Sequence, residues 1–70
     1  MKRFEIIQRK KNQPISIVID GNSKSFCNFN HTVDYAISLI NDGYTIADSN
    51  ISLCDDSDQH RLIEILNIVR

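Results

Sequence analysis

Ile15-Ser16-Ile17-Val18-Ile19-Asp20-Gly21-Asn22 decides the fold. Ile15, Ile17 and Ile19 alternate with Ser16, Val18 and Asp20, the period-two pattern of a strand with one buried face. Asp20-Gly21-Asn22 reads as a tight hairpin turn, because Gly and Asn tolerate the positive φ that a reversal needs. Upstream, residues 3–8 read as a strand with Phe4 and Ile6 on one face. Between the two, Arg9-Lys10-Lys11-Asn12-Gln13-Pro14 is a connection, since Pro cannot donate to a ladder. Downstream, Lys24 to Asn28 forms a shorter third strand carrying Phe26 and Cys27. Residues 3–28 therefore read as an antiparallel meander.

The period changes after Asn30. Val33, Ala36, Ile37 and Ile40 recur at helical spacing, predicting an amphipathic helix over about 31–42. Asn30 or Thr32 is expected to cap it, Asp34 suits its positive end, and Gly43 supplies the stop. A fourth strand is expected within 44–54, which Ala47-Asp48-Ser49-Asn50 can bend or split in two. A C-terminal helix follows and runs to the end, with Asp56 as N-cap and Gln59 completing a capping box. The order is βββαβα. The expected fold is α+β: a four-stranded, mainly antiparallel sheet with two helices packed on one face, residues 1–70 making a single small domain.

A chain of 70 residues buries only about 60% of its unfolded surface, so its stability is marginal unless a partner, metal or disulfide contributes. Composition is ordinary for a folded protein, with 41% hydrophobic and 24% charged residues. Cys27 and Cys54 do not make a disulfide framework; both fall in expected strands and are read as buried, reduced thiols. With no signal-peptide pattern and no apolar run long enough for a membrane span, the expected location is the cytoplasm. Abundant Ile, Asn, Ser and Asp with scarce Gly and Pro often accompanies AT-rich genes, including those of bacterial mobile elements.

Charge is polarised. Residues 1–30 carry six basic and two acidic side chains (+4), and residues 31–70 carry two basic and seven acidic ones (−5). The basic group Arg9, Lys10, Lys11 and Lys24 could neutralise phosphates, although the strands offer no outward aromatic platforms on which bases stack. Cys54-Asp55-Asp56-Ser57-Asp58-Gln59-His60 collects potential metal ligands, but the spacing fits neither a calcium loop nor a zinc site. Asp and Ser there are better explained as helix caps. No nucleophile elbow, oxyanion loop or phosphate-cradling glycine loop is present, so no enzyme, cofactor, metal or small-molecule substrate is expected.

The telling feature is apolar surplus. On the C-terminal helix Leu62, Ile65, Leu66 and Val69 fill the inward stripe, while Ile63 and Ile68 flank it, an arc of about 220° where about 100° suffices. On the first helix Tyr35 and Leu39 form a second apolar pair, expected to face away from the core. These four, with an acidic rim of Asp42, Asp48, Asp55, Asp56 and Asp58, are the candidate partner-binding residues. The expected function is a non-enzymatic protein-binding module, as a homodimer or on a larger complex. Its concrete form is a phage- or plasmid-type inhibitor that occludes a host nuclease or defence complex. The alternative is a small nucleic-acid-binding regulator acting through the basic hairpin. The βββαβα order recurs in unrelated small proteins and licenses no function by itself.

Overall fold

The alternating isoleucines place Ile15 and Ile17 in the core, at 6% and 0% exposure. The computed structural model describes residues 2–69. Its elements are β1 (Lys2–Ile7), β2 (Ile15–Ile19), β3 (Asn22–Phe26), α1 (Phe29–Asn41), β4 (Tyr44–Thr45), β5 (Ile51–Ser52) and α2 (Asp56–Val69). The expected helical extension to residue 70 lies outside the described residues. Helix α1 and helix α2 pack on one face of the sheet, around Phe4, Ile6, Ile17, Ala36, Ile51, Leu62 and Leu66.

The sheet is mixed. Its order is β3-β2-β1-β4, with β5 on the same side of β1 as β4, further along the strand. The β1–β2 and β2–β3 ladders are antiparallel, as the hairpin reading requires, whereas β4 and β5 run parallel to β1. The fourth strand is split as its sequence suggested. Asp48–Asn50 makes one 3-10 turn between its halves, and the Ala47 N–H donates to Asn50 Oδ1 at 3.2 Å. Ile46, 4% exposed, fills the core beneath that turn.

Several local expectations shift. Asp20 and Gly21 alone make the hairpin turn, with φ of 50° and 83°, so β3 resumes at Asn22 and ends before Cys27. Cys27 and Cys54 are exposed and free in connections, not buried in strands. The cap of α1 is Asn28, whose Oδ1 accepts from the N–H groups of Asn30 at 2.8 Å and His31 at 3.4 Å. Thr32 instead donates its hydroxyl to the Asn28 carbonyl at 3.0 Å, which satisfies it in a fully buried position. Starting the helix earlier leaves Asp34 beyond its first turn. Gly43, at φ 99°, ends it as expected.

Helix α1 is also rotated about its axis. Thr32, Val33, Ala36 and Leu39 are buried, while Ile37 and Ile40 are only partly so. Leu39, read as facing outward, is a core residue at 6% exposure. Apolar residues at 33, 35, 36, 37, 39 and 40 cover so much of the circumference that periodicity cannot fix the centre of the stripe. At α2 the cap is Asp55 rather than Asp56: its Oδ1 accepts from the Asp58 N–H at 3.1 Å and its carbonyl from the Gln59 N–H at 2.9 Å. Gln59 turns away from the helix start and accepts from the Leu53 N–H at 2.8 Å.

Candidate partner-binding surfaces

Of the four apolar candidates only Ile68 stands clear of the core. It is 86% exposed, and no other large hydrophobic residue is exposed among those described. Helix α2 turns Leu62 and Leu66 fully inward, which leaves Ile68 on the far flank beside exposed Glu64 and Asn67. Ile63, on the opposite flank, is half-buried and packs against the core. Tyr35 is half-buried too, its ring 5.2 Å from that of Phe26 at 39°, and Leu39 is interior. The expected broad apolar face is therefore narrower: Ile68 at its centre of exposure, with Ile63 and Tyr35 at separate margins of the core.

The acidic candidates do not form one rim. Asp42 precedes β4, whose Tyr44 pairs with Lys2, whereas Asp55 follows β5, whose Ser52 pairs with Ile7. Five strand residues separate those rows, about 16 Å. Asp42 therefore marks one end of the sheet, Asp55, Asp56 and Asp58 the other, and Asp48 the turn between. Two of the acids already have local work. Asp55 caps α2, and Asp58 lies 3.7 Å from the Arg61 guanidinium, which also sits 4.8 Å from the Phe29 ring.

The basic candidates splay as well. Gln8 anchors the loop that carries three of them: its N–H donates to Ser52 O at 2.8 Å and its Nε2 to Gln13 O at 3.0 Å. In return Gln8 accepts from the Cys54 N–H at 3.3 Å and from the Cys54 thiol at 3.1 Å. That anchor sends Lys11 into a pocket of about 340 Å³ with Asp55 and Asp58, on the helix side. Arg9 lines a groove of about 360 Å³ on the uncovered sheet face, with Ile7, Val18, Ser23 and Ser25. Arg9, Lys10 and Lys11 are all exposed. The Lys24 ammonium lies over Tyr35 at 4.9 Å and Phe26 at 5.8 Å. The basic loop and the acidic start of α2 therefore border one pocket.

Gln8 and the β3 edge were not read as functional from the sequence. A glutamine bonded 46 residues away leaves no local signal, and an edge is a property of strand order. Among the described residues no group of three or more His, Cys, Asp or Glu could hold a metal ion, and no helix is long and apolar enough to cross a membrane. Comparison with protein-family models, curated proteins and solved structures gives no match.

Proposed function

We propose that the protein is a non-enzymatic binding module that docks on another protein, in the cytoplasm, through the outer flank of α2. The observation that carries this reading is Ile68, 86% exposed, the exposed large hydrophobic residue among those described. Burying an isoleucine is worth about 1.5–3 kcal/mol. A partner that covers Ile68 would gain that contribution. Ile63 and Tyr35, at separate margins of the core, lie off this flank, and the acids Asp55, Asp56 and Asp58 offer short-range complementarity to a basic partner. Occlusion of a nuclease or other nucleic-acid-handling complex, as a phage- or plasmid-type inhibitor performs it, is the form this takes. The alternative, nucleic-acid binding by Arg9, Lys10, Lys11 and Lys24, draws support from the exposure of all four but not from the separation of Arg9 and Lys11 between two pockets.

Capture from host lysate separates the readings. Wild-type bait should retain a defined protein that Ile68→Asp loses and the Lys10→Glu/Lys11→Glu pair keeps. Self-association through the same flank would instead give a concentration-dependent dimer that Ile68→Asp dissociates. Salt-sensitive nucleic acid on the bait, lost with the two lysines, would overturn docking in favour of the alternative.

A further inference from the structure

The two edges of the sheet are unlike. The β4/β5 edge is broken into two-residue pieces by a 3-10 turn, which is one way a protein blocks edge-to-edge pairing. The other edge is β3, which pairs with β2 over Asn22–Phe26, with no proline within it and no slip in the register. Asn22, Ser23, Lys24 and Ser25 are all exposed. The closing pair of a two-residue hairpin, Ile19 with Asn22, exchanges both of its hydrogen bonds, and bonded and non-bonded pairs then alternate. Asn22, Lys24 and Phe26 therefore bond inward to β2, and the backbone N–H and C=O groups of Ser23 and Ser25 point off the edge.

Along the middle of that edge the charged side chains are basic, while Asp20 in the turn and Asp55 and Asp58, which share a pocket with Phe26 and Cys27, lie at its two ends. Lys24 faces the helix side, in the row of Ile17, with its ammonium drawn back over Tyr35 and Phe26. In that position it does not project across the edge as a guarding lysine would. On the opposite face Arg9 lines the groove that Ser23 and Ser25 border. The stretch Asn22 to Asn28 contains no acidic residue. A second copy pairing antiparallel about Lys24 would set two lysines directly opposite, which is unfavourable.

From this we infer that β3 accepts an extended acidic segment of a partner protein as an added strand. Main-chain bonds to Ser23 and Ser25 supply the ladder, and carboxylates of the added strand meet Lys24 on one face and Arg9 on the other. The surface is separate from Ile68, because α2 packs against α1 and β5, whereas β3 is the opposite edge of the sheet and lies under α1. A failure at one surface is therefore not a failure at the other.

The test is titration of the isotopically labelled protein with a synthetic nine-residue peptide in which adjacent Glu-Glu pairs, which put one carboxylate on each face of a strand, are separated by Val and Thr. A second peptide carries Lys in place of each Glu, and a third is N-methylated at alternate residues. Saturable binding of the first alone is expected, with the Ser23 and Ser25 amides shifting and becoming protected from exchange. Lys24→Glu should weaken it about tenfold, Ser25→Pro should abolish it, and Ile68→Asp should leave it unchanged. Lys24 is exposed, and the N-methylated peptide probes the ladder without altering the protein, so a poorly folded Ser25→Pro does not stop the test. Absence of saturation up to millimolar peptide, equal binding of the Lys peptide, or shifts confined to other elements would overturn the proposal. So would a wild-type dimer that Ser25→Pro dissociates, because the edge would then belong to a second copy.

Discussion

Asp55 and Asp56 are neighbours with the same side chain, yet the fold uses them differently. The Asp55 carboxylate accepts from the Asp58 N–H, so Asp55→Ala should cost about 1 kcal/mol in urea unfolding. Asp56→Ala, at an exposed position, should stay within about 0.5 kcal/mol. Equal losses would return the cap to Asp56. The thiols give a second check at this scale. Cys27 and Cys54 are exposed, so both should react with a thiol reagent in the native protein. Cys54 should be the slower, since its thiol donates to the Gln8 carbonyl. Reaction only after unfolding would contradict the placement of both.

Helix α1 shows what periodicity can and cannot decide. Its existence follows from the apolar spacing, and its end follows from Gly43. Its rotation does not follow, because six apolar positions out of eight between 33 and 40 leave the buried stripe unresolved. Packing makes the choice by seating Thr32 against the Asn28 carbonyl and Leu39 in the core. Leu39→Ala should therefore cost about 2–5 kcal/mol, and clearly more than Ile40→Ala, when both are unfolded in urea. The reverse order would restore the stripe centred on Ile40. The strands were legible for a simpler reason. Alternation in Ile15–Ile19 and a turn requiring positive φ fix the hairpin locally, although the turn is one residue shorter than read and β3 begins at Asn22 rather than Lys24. Parallel pairing of β4 and β5 with β1 is set across more than forty residues, where local patterns carry no information about the partner.

Across the whole molecule, the exposure of Ile68 was legible in the sequence, whereas the placement of the other candidate residues was not. Helical-wheel counting found Ile68 because surplus arc on α2 is a property of that helix alone. It placed Leu39 wrongly because exposure there depends on how α1 sits over the sheet. Charge summed along the chain suggested a basic half and an acidic half. The fold puts Lys11, Asp55 and Asp58 around one pocket and sends Asp42 to the other end of the sheet, so neither half forms one patch. Long-range steering should accordingly be weak, with partner association rates changing little across moderate salt. A steep salt dependence would point instead to the exposed basic loop. The docking claim turns on Ile68 contributing to binding and not to folding, so the direct measurement takes both from one preparation of Ile68→Asp. The urea midpoint should match the wild type to within about 0.5 kcal/mol while the captured partner is lost. Capture at the wild-type level with folding intact would contradict docking through this flank.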